Sequence, residues 1–478
     1  MKTKVILMLA LLASCSKDYI EEEIVFNTTP IKQEVQEVVV TSTQVQSPVL
    51  FQSLSERYSP VNETTGWFNN QSNFKRYLSD SEQLNLNFIV NDCEEYLFAS
   101  QDHLSFDFNN DGNLDLFAFL YLHDRCSSSY NVGQNPGKFM IIDNYYNGGT
   151  DKYYFDTDYV SMGGSTHLND IDNDGDLEVI IYPNNRHEYN YNNSLPARDI
   201  LIVEVDQSFN LTQYELPFTP FDFHDGTSGD IDNDGDIDLI KIRVGQYAQD
   251  INQYYPKVLI NNNGVFQEEY LLENHQEFKE LFPGGLNVTS YKLADLNSDG
   301  NLDLVLAKDI GTLNHSQHLE GQDFFYYNDD LLVLWGNGSG KFNTNNSTLI
   351  EDSNYKNELQ FVLAISFTDY NLDGHLDIIT SSTVNNYEGF ILNLFKNNGD
   401  NSFTDLTSEV FDVSSDNGSF FYEMYKLYSI DRDNDGDFDL VPGDSHAWGY
   451  WTGKDPVDNL YWEYDNGRYI INIFNNNN

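Results

Sequence analysis

The sequence predicts an all-β chain built as a β-propeller of seven four-stranded antiparallel blades. Three observations point there. An acidic nine-residue motif occurs six times, as DFNNDGNLD (107–115), DIDNDGDLE (170–178), DIDNDGDID (230–238), DLNSDGNLD (295–303), DYNLDGHLD (369–377) and DRDNDGDFD (431–439). Their starts are spaced by 63, 60, 65, 74 and 62 residues. Each copy runs into an apolar, strand-like stretch such as LDLFAFLYL, IDLIKI, LDLVLA or LDIITS. Roughly thirty residues further on comes an apolar strand, an Asn/Gly turn and a short strand, the pattern of a hairpin. One period near 60 residues therefore supplies four strands. A closed ring of such units hides the edges that an open stack would leave exposed.

Along the chain, the start comes first. MKTKVILMLALLASCSKDY has Lys2 and Lys4, an apolar run from Val5 to Ala13, then a small residue and Cys15, which is the layout of a secretory signal. Leu12-Ala13-Ser14-Cys15 resembles a bacterial lipobox, which implies removal of residues 1–14 and acylation of the Cys15 thiol. Asp18, Glu21, Glu22 and Glu23 resemble the signals that send some lipoproteins to the outer face of the outer membrane. No other apolar run is long enough to cross a bilayer. Residues 15–46 are rich in Glu, Gln, Val and Thr and read as a flexible tether. The expectation is thus an exported, lipid-anchored, surface-exposed domain spanning 47–478.

GWFNNQSNFKRY (66–77) has the hairpin pattern with no acidic motif upstream, so it supplies a first blade (about 47–100) without an acidic loop. With six motif-bearing units it makes seven; six blades with an N-terminal extension is the alternative. The later hairpins are KFMIIDNYYNGGTDKYYF, KVLINNNGVF, LLVLWGNGSGKF, ILNLFKNNGDNSF and NLYWEYDNGRYI, with DILIVEVDQSFNL as a looser version. Two insertions account for the longer spacings. LLENHQEFKELF (271–282), apolar at helical intervals and followed by Pro283-Gly284-Gly285, predicts a short amphipathic helix. DIGTLNHSQHLEGQDFFYYNDD (309–330) predicts a long loop. Besides Cys15 there are two cysteines, Cys93 and Cys126; they either form a disulfide around the first motif or stay as two buried thiols.

The charge balance, 25 basic against 76 acidic residues and a net of -51, repels phosphate backbones and attracts divalent cations. Nucleic acid is excluded as an expected partner. Within each motif, oxygens at positions 1, 3 and 5, a glycine at 6 and a later carboxylate are what a hard cation needs. An EF-hand closes at position 12, but position 12 here is Ala118, Ile181, Lys241, Leu306, Thr380 or Pro442. The motif closes instead at 9, with Asp115, Glu178, Asp238, Asp303, Asp377 and Asp439.

Closure at 9, flanking strands and the period near 60 resemble the FG-GAP or VCBS-type repeat of integrin α-subunit heads and secreted bacterial propellers. The family's Phe-Gly and Gly-Ala-Pro signatures are mostly absent, which favours the bacterial branch. The resemblance implies side-chain ligands at 1, 3, 5 and 9 and a main-chain carbonyl at 7. In the first loop these are Asp107, Asn109, Asp111, Asp115 and the carbonyl of Asn113. Asp170, Asp172, Asp174, Glu178 and the Asp176 carbonyl follow in the second; Asp230, Asp232, Asp234, Asp238 and that of Asp236 in the third. The fourth has Asp295, Asn297, Asp299, Asp303 and the Asn301 carbonyl, the fifth Asp369, Asn371, Asp373, Asp377 and that of His375. Asp431, Asp433, Asp435, Asp439 and the Asp437 carbonyl form the sixth. About six Ca2+ ions are expected, calcium being preferred to magnesium because magnesium keeps a tighter, more hydrated octahedron.

A catalytic site is not expected. The close carboxylate pairs lie inside the metal loops, where an ionised ligand cannot double as a protonated acid. The ten histidines have no HExxH spacing, and no GxSxG motif occurs. The loops joining second and third strands carry exposed-type aromatic and cationic residues: Arg186, His187, Tyr189, Tyr247, His446, Trp448 and Trp451, with Arg125, Tyr130, Tyr191, Tyr254, Tyr255, Phe324 to Tyr327, Tyr387 and Tyr450. Such rings stack on sugar faces or anchor a protein partner. The expectation is a recognition or adhesion module for a glycan or a surface protein; the alternative is a polysaccharide lyase or glycoside hydrolase on the same scaffold.

Overall fold

Alternating side chains dominate the architecture. In a strand, neighbouring residues point to opposite faces, so a strand buried on both sides must be apolar throughout. Glu178–Pro183 and Asp303–Ala307 are buried at every position. A computed structural model of the chain describes residues 96–99, 103–124, 138–144, 151–157, 164–183, 198–221, 223–243, 255–277, 288–307, 330–351, 361–383, 390–411, 427–430, 437–442, 460–465 and 468–473. All of these fall within one unit, Gln46–Asn478.

The described strands form six antiparallel sheets, five of them four-stranded. The first holds β1 (Tyr96–Ala99), β2 (His103–Phe106), β3 (Asp115–Asp124), β4 (Lys138–Ile142) and β5 (Lys152–Asp156). The second holds β6 (Gly164–Asn169), β7 (Glu178–Pro183), β8 (Leu201–Val205) and β9 (Leu211–Glu215). In the third are β10 (Thr227–Gly229), β11 (Asp238–Lys241), β12 (Lys257–Asn262) and β13 (Val265–Tyr270). The fourth comprises β14 (Tyr291–Ala294), β15 (Asp303–Ala307), β16 (Leu331–Leu334) and β17 (Ser347–Ile350). β18 (Phe361–Thr368), β19 (Asp377–Thr383), β20 (Phe390–Asn397) and β21 (Phe403–Asp405) make the fifth, followed by the short helix α1 (Thr407–Val410). The sixth contains β22 (Leu427–Ile430), β23 (Asp439–Pro442), β24 (Leu460–Asp465) and β25 (Arg468–Ile473). The five four-stranded sheets are meanders in chain order, and in the first sheet β1 and β2 both pair with β3.

Consecutive sheets pack face to face. Val179 and Ile181 of β7 join Phe117, Phe139 and Ile141 of the first sheet, whereas Ile180 between them joins Leu239 and Leu259 of the third. Ile240 faces Leu304 and Leu306 of the fourth sheet, whose Val305 turns to Ile378 and Phe395 of the fifth. Ile379 and Leu394 then meet Leu427, Leu440 and Tyr469 of the sixth. Burial of about 2 kcal/mol per such side chain makes these apolar sandwiches the main cohesive force. The first strands β2, β6, β10, β14, β18 and β22 run beside one another in sequence order. The fourth strands β9 and β13 alternate between half-buried and exposed positions, as outer edges do.

Five expectations meet a different outcome or fall outside the description. β1 lies in the segment assigned to a separate first blade, yet it pairs with the far half of β3 while β2 pairs with the near half; the two are one interrupted strand of the first sheet. Over 271–282, the described part is extended at Leu271 and Leu272, and only His275–Glu277 turns as a 3-10 helix. The backbone there is committed elsewhere: Leu271 N–H donates to the Pro256 carbonyl, and Glu273 N–H to that of Phe342. The fourth sheet's last strand is β17, not the Lys341-Phe342 pair, because Gly338 and Gly340 at positive φ swing that segment over to the third sheet. The hairpin 66–77 and the insertion up to 329 lie outside the described residues. Among those residues, no helix is long and apolar enough to cross a membrane.

Candidate metal centre

Each acidic loop joins the first strand of a sheet to the second, and its ninth residue opens the second strand. Asp115, Glu178, Asp238, Asp303, Asp377 and Asp439 are the first residues of β3, β7, β11, β15, β19 and β23, and all six are buried. In the five loops described throughout, one hydrogen-bond scheme repeats. The position-1 carboxylate accepts the N–H groups of positions 5 and 6: Asp170 Oδ1 and Oδ2 take those of Asp174 and Gly175, both at 3.1 Å, and Asp230, Asp295, Asp369 and Asp107 do the same within 2.8–3.1 Å. Position 3 accepts the N–H of position 5, and position 5 that of position 7, as in Asn297 to Asp299 to Asn301. Position 4 stands in the left-handed region every time, at Asn110, Asn173, Asn233, Ser298 and Leu372. Glycine at 6, with φ near 90°, completes the turn.

The ninth carboxylate clamps the loop to the sheet. Its one oxygen accepts the N–H of position 2, as Asp238 does from Ile231 at 3.0 Å; the other accepts an N–H at the end of the third strand, as from Asn261 at 2.8 Å. Asp115 with Phe108 and Asn144, Asp303 with Leu296 and Gly336, and Asp377 with Tyr370 and Asn397 repeat it. Burial pushes Asp115, Glu178, Asp238, Asp303 and Asp377 each up to about 7; two N–H donors, or the one from Ile171 at Glu178, pull the other way and neighbouring carboxylates add to the rise. Asp170, Asp230 and Asp232 are also raised, by burial first.

These positions fit a hard cation. Oxygens that share an ion at calcium distances can lie at most about 5 Å apart. One carboxylate oxygen each from Asp170, Asp172 and Glu178 fall within 4.8 Å of one another, and so do those of Asp230, Asp232 and Asp234. At position 7, the Asp236 side chain turns away to accept from Asn173 Nδ2 at 2.5 Å and from the Asn263 N–H at 2.7 Å.

Several contributors escaped the motif. Asn261 Nδ2 donates to the Ile171 carbonyl in the preceding loop and to Ile237; Asn397 does the same to Leu296 and Leu376. Their common signal was the Asn three or two residues ahead of the hairpin glycine. Asn173 reaches Asp236, and Asn233 reaches Asn301 at 2.7 Å, so position 4 of one loop touches position 7 of the next. Asn144 and Asp143 add to the first loop. Of the sixth loop, Asp437 and Asp439 are described; Asp431, Asp433 and Asp435 lie outside the described residues, as do Cys15, Cys93 and Cys126.

The proposed ligand face fares differently. Arg186, His187, Tyr189, Tyr247, His446, Trp448 and Trp451 all lie outside the described residues. Tyr255 is described and is a core residue, 1% exposed, packed on Tyr270 and His275 and donating to Gln276. Its place on the binding face is therefore corrected.

A second polar cluster joins the second, third and fourth sheets. Asp225 accepts from Ser165 Oγ at 3.0 Å, Ser290 Oγ at 2.7 Å and Lys292 Nζ at 2.5 Å, with His167 Nε2 2.8 Å from Ser165 Oγ. The serine stands between histidine and carboxylate, which is not the nucleophile, base and orienter order of a hydrolytic triad. Its evident role is to hold three sheets together.

No protein-family model and no curated protein matches the chain. Among solved structures it is similar to the V. cholerae biofilm matrix protein Bap1, at 15% identity and a TM-score of 0.32, over 64% of this chain and 38% of that one. It is also similar to the exotype rhamnogalacturonan lyase YesX, at 12% identity and a TM-score of 0.37, over 80% and 58%. The rhamnogalacturonan lyase PL11 of Bacillus licheniformis matches at 10% and 0.34, over 79% and 65%. The chain spans less than two thirds of each of these structures.

Proposed function

We propose that this chain is a calcium-stabilised propeller, its sheets arranged radially as seven blades of the FG-GAP/VCBS type, carried on a lipid-anchored surface protein. It recognises a glycan or a protein partner without catalysis. One observation carries the reading: the same oxygen cradle recurs, bond for bond, at the mouth of the second strand in five successive sheets. A carboxylate held by burial near pH 7 is a poor anion without a counter-ion, and a dication supplies one. Bound ions then fasten strand one to strand two in each blade that carries the motif, and the lipobox-like start supplies the route to the surface.

Two measurements test this. Calcium depletion should lower the melting temperature by ten degrees or more, and calcium should restore it, because each bound ion stabilises only the folded state. An unchanged melting curve would sink the metal assignment. Retention on a panel of immobilised polysaccharides and surface proteins, with no new reducing or unsaturated ends, supports recognition; chain shortening would instead make the protein a lyase or hydrolase.

A further inference from the structure

The fifth loop carries a cation of its own. Lys396 on β20 places Nζ 2.8 Å from Asp373 Oδ2, with the two side chains 29% and 31% exposed. Asp373 is position 5 of that loop. Its Oδ2 also accepts from Asn371 Nδ2 at 3.0 Å, and its Oδ1 accepts the His375 N–H at 3.1 Å. Both oxygens are thus engaged.

Charge separates the loops. The second has four carboxylates, Asp170, Asp172, Asp174 and Glu178, and the third likewise four. The first and fourth have three, with Asn109 and Asn297 at position 3. The fifth also has three, Asp369, Asp373 and Asp377, and Lys396 offsets one of them. Affinity in oxygen-ligand loops follows ligand charge. A tethered ammonium lowers that charge and repels an arriving dication at close range.

We propose that Lys396 is an affinity-setting residue: a built-in cation that makes the fifth loop a weaker divalent-ion site than its three carboxylates alone would give. The inference rests on the loops being calcium sites. It also implies that the fifth loop keeps part of its charge balance when calcium is withdrawn.

Calcium titration of the full, calcium-depleted chain by calorimetry, with bound ions counted by equilibrium dialysis, tests it. Lys396→Met, or Lys396→Gln should the first variant fold poorly, should tighten one site roughly tenfold and leave the others unchanged. Lys396→Arg, which keeps the charge, should retain the wild-type profile. Adding Asp373→Asn to Lys396→Met should abolish the gain, which locates it in the fifth loop. If wild type binds several ions but Lys396→Met tightens no site, Lys396 has no such role while the calcium reading stands. If wild type binds no calcium at all, both fall together.

Discussion

The residue at position 4 shows how a single backbone angle exposes a misfit. Five loops hold it at φ between 55° and 60°, or just above: 57° at Asn110, 60° at Asn173, 61° at Asn233, 58° at Ser298 and 55° at Leu372. Asparagine tolerates that region because its short amide bonds locally; a leucine Cβ is crowded there, at a cost of about 1 kcal/mol. Leu372 gains little in return, since it is 59% exposed. Leu372→Asn should therefore raise unfolding free energy by about 1 kcal/mol in denaturant titration, with calcium stoichiometry unchanged. A loss of stability would mean that the leucine side chain buries surface against some partner.

At the scale of the loop and its sheet, the buried ninth carboxylates set a pH dependence. In calcium-depleted protein Asp115, Glu178, Asp238, Asp303 and Asp377 have folded values of about 7 against ordinary values of 3.8 or 4.5. Between those limits the folded state holds more protons than the unfolded one, so unfolding free energy falls as pH rises. Melting temperature without calcium should accordingly drop from pH 5 to pH 8, and the stabilisation that calcium gives should grow over the same interval as the ion displaces protons. Asp238→Asn should flatten the calcium-free slope; an unaltered slope would assign it to general charge repulsion. The sequence revealed these elements because the motif fixes a local scheme, with the Asp170 carboxylate accepting from residues four and five positions on. It also marked every second strand, where apolar runs and the motif coincide. What it hid was non-local. Lys396, Asn261 and Asn173 act on loops 23 to 90 residues away, and β17 replaced Lys341-Phe342 as an edge strand because of a contact with another sheet.

At the scale of the molecule, stability depends on how each sheet grips the next, as in any stack whose units contact only their neighbours. The joint of the second, third and fourth sheets is the tightest polar example. Tyr182 of β7 lies fully buried across it and donates to the Thr227 carbonyl at 2.8 Å. Gly226 sits under the ring, and Lys292 Nζ of β14 donates to its carbonyl at 2.9 Å. A Cβ on Gly226 would stand 2.2 Å from Tyr182 Cδ2, far inside contact distance, and the ring it meets is fully buried. Overpacking of this kind costs about 1–3 kcal/mol, or more where backbone must shift. Gly226→Ala should therefore lower the melting temperature by several degrees both with and without calcium, because the damage lies between sheets and not in a loop. The calcium-induced rise in melting temperature should keep its wild-type size. If that rise shrank instead, the joint and the acidic loops would be one cooperative device, and the sheets could not be treated as units coupled only through their packed faces.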